Sequence, residues 1–164
     1  MKCNLCNYQG EFKPMGNREN ARCPQCKSLE RHREFVEIYD GEGSILHISP
    51  NRGLREYFEK LGNYEYSVYE DSGWDLLEPN EGIYDNIIAI HVLEHIENDT
   101  LALTNIYDAL SIGGVLWLQV PFEKELRTDL GHVTKFTKRG LKAKLTRAGF
   151  EYEEKGNFFK CVKK

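Results

Sequence analysis

The stretch Asp85-Asn-Ile-Ile-Ala-Ile-His91, followed by Val-Leu-Glu-His95, a helical pattern, Gly113-Gly114 and the apolar run over 115–120, leaves this chain few folds to choose from. Continuous apolar runs rich in β-branched residues mark strands buried on both faces, and such strands joined through a helix run parallel. The segment therefore reads as a strand over 85–91, a loop, a helix over 99–110, a tight Gly-Gly turn and a strand over 115–120. In an open α/β sheet, ligands bind beyond the carboxyl ends of the strands. His91, Glu94 and His95 fall on that rim, the pattern of an enzyme rather than of a scaffold.

The rest of the chain repeats the alternation. A strand over 44–49 is broken by Pro50, and Asn51 caps a helix reaching Leu61, with Leu54, Tyr57, Phe58 and Leu61 on one face. A second strand is expected over 64–70 and a short edge strand over 75–77. Beyond Pro121, a helix over 138–148 stops at Gly149, and strands over 151–155 and 158–162 close as a hairpin through Gly156-Asn157. Crossover helices predict an α/β fold: a compact, mostly parallel, seven-stranded Rossmann-like sheet with an antiparallel C-terminal edge.

Before this comes a different kind of segment. Cys3-x2-Cys6 and Cys23-x2-Cys26 are two knuckles of the spacing that sets four thiolates around one Zn2+ in a structural zinc ribbon. Two disulfides are the competing reading, disfavoured in a reducing compartment. Four protein ligands would close the site, and the metal would supply folding energy that so short a segment lacks. Cys161 is left over in the last strand as a small buried hydrophobe. Ser28-Leu-Glu-Arg31 reads as the N-cap and first turn of a helix to Tyr39, and Asp40-Gly-Glu-Gly43 as the boundary between a ribbon with its connecting helix (1–40) and the main domain (41–164).

Charge is unevenly spread. Residues 41–134 carry 5 basic against 17 acidic side chains, and residues 135–164 carry 10 against 3. The basic end is either a solvated helix face or an anion- or nucleic-acid-binding one, though no aromatic residues interleave its lysines as base stacking requires. The N-terminus carries no apolar leader and no apolar run is long enough to span a bilayer, so a soluble cytoplasmic protein without membrane contact is expected.

The order of elements, together with Ile45-Leu-His-Ile-Ser-Pro50, Asp75-Leu76, His91-Val-Leu-Glu-His95, Gly113-Gly114 and Leu118-Gln-Val-Pro121, resembles class I S-adenosylmethionine (SAM) dependent methyltransferases. It is most similar to the type 11 group of small-molecule enzymes, in a subgroup whose ribbon joins the catalytic domain through a segment like Arg22-Cys-Pro-Gln-Cys-Lys-Ser-Leu-Glu-Arg-His-Arg33. The resemblance implies methyl transfer from SAM, with S-adenosylhomocysteine (SAH) as product, to O or N of a small molecule such as a sugar or glycan precursor. It assigns the loop with Ile48, Ser49, Pro50, Arg52 and Gly53 to the methionine part of SAM. Glu70, with Asp71 beside it, is assigned to the ribose, and Asp75 and Leu76 to adenine. His91 would face both cofactor and acceptor, and His132 in Gly131-His-Val-Thr134 the acceptor. A carboxylate is the natural double acceptor for a vicinal diol, and either histidine could serve as general base or merely as a hydrogen-bonding group.

Two departures from the family stand out. The first loop, His47-Ile-Ser-Pro-Asn-Arg-Gly53, holds one glycine where the family carries several, so backbone approaches the cofactor less closely and the Arg52 side chain could reach the SAM carboxylate instead. Residues 71–83 are too few for a helix between strands two and three. Both favour an alternative, a catalytically degenerate module that binds nucleic acid or a protein through its ribbon and basic C-terminal segment. His91-x-x-Glu94-His95 also matches the inverted zinc-protease pattern, but that chemistry needs both histidines on one helix and His91 ends a strand. For Glu94 and His95 two readings stay open: they cap or orient the following helix, or they hold a second metal with a further ligand.

Overall fold

The computed structural model describes residues 1–124 and 126–164. A small antiparallel hairpin, β1 (Lys13–Met15) and β2 (Arg18–Arg22), carries the N-terminal segment, and helix α1 (Glu30–Ile38) leads from it to the main sheet. The remaining elements are β3 (Ile45–Ile48), α2 (Arg52–Phe58), β4 (Tyr64–Ser67), β5 (Tyr84–Ile90), α3 (Asp99–Asp108), β6 (Leu110–Gln119), α4 (Lys138–Ala148), β7 (Phe150–Lys155) and β8 (Phe158–Lys163). Among the described residues the main sheet has six strands in the order β4-β3-β5-β6-β8-β7. Strands β3, β4, β5 and β6 are parallel, and β8 is antiparallel to both β6 and β7. A mostly parallel sheet with an antiparallel C-terminal edge is what crossover helices and a terminal hairpin require.

The strand alternation divides the core in two. Ile45, Ile88, Ile90, Trp117 and Phe158 face α1, α2 and the cysteine segment, in one cluster with Phe35, Leu54 and Phe58. Leu46, Ile48, Ile87, Ala89, Leu116 and Leu118 face the other way, toward Leu103 and Ile106 of α3 and Leu141 and Leu145 of α4. The ribbon side is built of rings: Phe35 lies 5.1–5.9 Å from Tyr39, Phe58, Trp117 and Phe158, centroid to centroid. The apolar cluster thus crosses residue 40 without a break, and α1 serves as a layer of the main sheet.

Several expected boundaries shift. Residues 75–77 form a turn, because Asp75 Oδ1 accepts from the Leu77 N–H at 2.9 Å and bends the backbone; the seventh strand is therefore absent among the described residues. Strand β4 stops at Ser67, and Tyr69–Asp71 form a single 3-10 turn, so Glu70 lies beyond the strand. Helix α3 ends at Asp108, and β6 already begins at Leu110; Gly113-Gly114 is an irregularity inside that strand, where Tyr84 pairs with Leu110 but Asn86 pairs with Val115. Ser28 is not the cap of α1, which starts after Leu29. Asn51 does cap α2, accepting from the Gly53 N–H at 2.9 Å. No helix is long and apolar enough to cross a membrane.

Candidate active site

The carboxyl ends of β3 and β5 both finish on a non-glycine residue in the left-handed region, Ser49 at φ 47° and His91 at φ 56°. Such conformations cost of order 1–3 kcal/mol and persist where the surroundings enforce them. Here the enforcement is visible: the Ser49 N–H donates to the Ser67 carbonyl at 2.7 Å, and the His91 N–H to the Gln119 carbonyl at 2.9 Å. Each chain reversal is thereby tied to the neighbouring parallel strand, and three hollows open around His91.

The largest hollow, about 610 Å³, is lined by Ile48, Ser49, Tyr69, Glu70, Trp74, Asp75, Leu76, Leu77, His91, Val92, His95, Ile96 and Glu97. Its floor is fixed by small polar links. The Trp74 N–H donates to Ser67 Oγ at 2.7 Å, and Asn105 Nδ2 in α3 donates to the Leu76 carbonyl at 2.8 Å. Gly73 is required by the turn, since a Cβ there would stand 2.4 Å from the Val68 carbonyl oxygen. A volume of this size suits a drug-sized ligand, and the carboxylates of Glu70, Asp75 and Glu97 together with the Trp74 indole give the hollow its few polar groups and an aromatic wall. The second hollow, about 350 Å³, lies between the ribbon and the ends of β3 and β5. It shares Ser49 and His91 with the first and adds Arg22, Lys27, Arg31, His32, His47 and Asn51; its lining holds three cations and no carboxylate. The third, about 300 Å³, runs from His91 past Gln119 and Phe122 to Lys138 and Asn157.

Six of the residues expected at the cofactor meet at the first hollow: Ile48, Ser49, Glu70, Asp75, Leu76 and His91. Pro50 lines the second. Arg52, Gly53 and Asp71 line neither. Arg52 is exposed and pairs with Glu56 at 2.7 Å one turn along α2. Gly53 faces the ribbon: a Cβ there would stand 3.1 Å from both the carbonyl oxygen and Sγ of Cys26, so its role is to let the cysteine segment close on α2. His132 is buried beside His95, the ring centroids 5.0 Å apart, and its Nδ1 lies 2.9 Å from Glu123 Oε2. That pairing, invisible to spacing because it crosses a loop, sets His132 behind His95 rather than on the wall of the cleft. His91 is mostly buried, and burial together with the nearby Arg31 charge pushes its pKa down to about 3, so the ring is neutral.

The four cysteines of the ribbon come together. Cys3 and Cys26 sulfurs are 3.7 Å apart, Cys6 and Cys23 sulfurs 3.6 Å, and all four lie within 4.8 Å of one another. A disulfide would need about 2.05 Å, whereas a tetrahedron of Zn–S bonds of about 2.3 Å sets its sulfurs about 3.8 Å apart. The donor set therefore fits a tetrahedral thiophilic ion. Ser28 Oγ lies 3.2 Å from Cys26 Sγ, which donates to it, and 3.6 Å from Cys3 Sγ, so its hydroxyl serves the cysteine cluster instead of capping a helix.

A family model described as a methyltransferase domain matches residues 22–155. The chain belongs to that family. Its fold is also that of solved SAM-dependent methyltransferases. The sugar N-methyltransferase KedS8 from Streptoalloteichus sp ATCC 53650 superposes with a TM-score of 0.59 at 13% identity, over 81% of this chain and 85% of that one. The N-methyltransferase NodS from Bradyrhizobium japonicum WM9 gives 0.53 at 16% identity, over 81% and 93%. PigF, solved with SAH, gives 0.54 at 17% identity over 82% of this chain, which spans about half of PigF (54%). No curated protein sequence matches. Within this methyltransferase domain, His91 sits where the carboxylate-lined cleft, the cation-lined hollow and the hollow under β8 meet.

Proposed function

We propose that this methyltransferase domain moves a methyl group from SAM to an oxygen or nitrogen of a small anionic acceptor, such as a phosphorylated or carboxylated sugar. The observation that carries the reading is the sharing of His91 and Ser49 between two hollows of opposite character, one with carboxylates and an indole, the other with Arg22, Lys27 and Arg31 and no acid. Glu70 would take the ribose hydroxyls, Asp75 the adenine amine through the oxygen that Leu77 leaves free, and the turn at Ile48, Ser49 and Pro50 would flank the methionine part. When bound, SAM supplies a methyl on a positively charged sulfur and leaves as SAH, so the chain's own task is alignment. Arg22, Lys27 and Arg31 would draw the acceptor's anion to the ribbon side, and His91 would hydrogen-bond the acceptor atom at the junction. On this reading the four cysteines hold a structural Zn2+, and the ribbon is one wall of the acceptor cavity.

The degenerate nucleic-acid module is weakened by the pairing of its cations. Six of the ten basic residues after 134 are in ion pairs: Lys138 and Lys142 with Glu154, Lys144 with Asp99, Lys155 with Glu153, Lys160 with Asp40 and Lys164 with Glu151. Calorimetric titration of the zinc-loaded protein with SAH tests the proposal. Micromolar binding that Asp75→Ala weakens at least about tenfold is the expected result; no binding by folded protein would sink it.

A further inference from the structure

We infer that Glu94, His95 and His132 form a second divalent-metal site, separate from the cysteine knot. One ligand atom from each lies within 4.8 Å of the other two, and His95 Nε2 stands 3.9 Å from Glu94 Oε1. Two ligands with bonds of about 2.1 Å face each other across one ion at nearly that span. Glu94 is only 1% exposed, and neither of its oxygens accepts a hydrogen bond among the described residues; His91 Nδ1 approaches Oε1 to 3.3 Å without forming one. A buried carboxylate left so bare costs several kcal/mol unless a cation or a proton meets it.

The two histidines are prepared for a cation. His95 Nδ1 lies 3.0 Å from the Gly131 carbonyl and His132 Nδ1 2.9 Å from Glu123 Oε2. Both acceptors hold the proton on Nδ1 and so leave each Nε2 with a free lone pair, the arrangement in which protein histidines ligate metals. The Val133 N–H donates to the Glu94 carbonyl at 2.8 Å and pins the His132 segment against the Leu93–His95 turn that precedes α3. Two imidazoles and one carboxylate suit a first-row ion such as Zn2+, Mn2+ or Fe2+ and leave further coordination positions for a ligand. His95 lines the carboxylate-lined cleft and Glu94 touches His91, so a hydroxyl acceptor bound to that ion would lose its proton more easily. That catalytic role rests on the methyltransferase reading; the metal site does not.

The test is a titration of protein already carrying one zinc per chain with further Zn2+ and, separately, with Mn2+, which thiolates bind poorly. Bound ion is read by elemental analysis and calorimetry, and thermal stability is followed in parallel. The expected result is one further ion per chain, a rise in melting temperature on its binding, and loss of both in Glu94→Gln and in His132→Ala. Glu123→Gln should weaken binding about 10–100-fold, because it removes only the partner that orients His132. Glu94→Gln should fold and, without metal, melt no lower than the parent, since it discharges a buried unpaired carboxylate. No second ion on the folded, zinc-loaded chain would overturn the site, as would binding that survives both ligand substitutions. SAH binding is measured on the same samples, so failure of the cofactor reading stays distinct from failure of this one.

Discussion

The two faces of the sheet are held together in different ways. Under α3 and α4 the packing is mostly aliphatic, with Leu103, Ile106, Leu116, Leu118, Leu141 and Leu145 fully or almost fully buried. On the other face Phe35 is ringed by four aromatic side chains, two histidines are buried, and the cluster runs without interruption into Cys3, Cys23 and Cys26. The first face is an ordinary two-layer core. The second is finished by a segment too short to fold unaided, so its outer boundary depends on what the cysteines hold. The candidate site spans both: the carboxylate-lined cleft leans on the aliphatic side through Asn105 and Leu76, and the cation-lined hollow leans on the ribbon.

The largest effect should come from breaking the cysteine knot. Structural zinc in small peptides contributes about 10–16 kcal/mol of folding free energy, so Cys23→Ser, or chelation, should cost the ribbon its fold. Amide hydrogen exchange should then lose protection at Ile45, Ile88 and Trp117 well before Leu103 and Ile106. Equal loss on both faces would mean that the division between them is not real. SAH affinity should fall only a few-fold in the same sample, while affinity for an anionic acceptor disappears. Next come core truncations. Phe35→Ala should destabilise by about 3–5 kcal/mol and Leu103→Ala by about 2–5 kcal/mol, measured by denaturant unfolding; only the first should also loosen metal binding. Smaller still is Asp75→Ala, which should cost about 0.5–1.5 kcal/mol of stability by removing the turn bond to the Leu77 N–H. The hydrogen bond to a charged group that it removes, about 1.5–3 kcal/mol, predicts SAH binding weakened by about 10–150-fold in calorimetry.

How much of this was legible beforehand depends on whether a feature is local. The strands at 85–91 and 44–49, the Asn51 cap, the helix over 138–148 and the final hairpin all follow from runs and caps within a few residues of one another, and all are found. The cysteine knuckles were readable because metal spacing is itself a local pattern. What spacing cannot express is where a loop folds back. The turn at 75–77 hides behind an apolar Leu76-Leu77 that reads as strand, and only the Asp75 side chain closing on the Leu77 N–H reveals it. The packing of Cys26 against Gly53 joins two segments far apart in the chain and has no local signal either. Arg52 pairs with an i,i+4 neighbour, Glu56, a contact that helical periodicity does offer. The meeting of His132 with Glu123 and His95 lies across the 120–137 loop and leaves no sequence signal.

The pH dependence of stability is the most diagnostic of the ribbon face, because it concerns buried groups found there. His47 is 1% exposed, against the Tyr64 hydroxyl at 3.2 Å and the Phe58 ring, and burial pushes its pKa down to about 3. His32 is 5% exposed, its Nδ1 accepting from the Leu29 N–H at 3.0 Å; burial, with the charge of Arg31 adding to it, pushes it to about 3 as well. An unfolded chain protonates histidine near pH 6.5. Between about pH 6.5 and 3 the unfolded state therefore binds protons that the folded state refuses, and stability falls as pH falls. Each fully depressed histidine contributes up to about 1.4 kcal/mol per pH unit in that window and nothing above about pH 7. Unfolding measured from pH 7.5 to 5 in excess zinc, which offsets acid release of the metal, should show this slope in the parent and a shallower one in His47→Gln. Identical slopes would mean that the His47 ring takes up a proton without unfolding, and that the ring-packed face is wetter than its burial indicates.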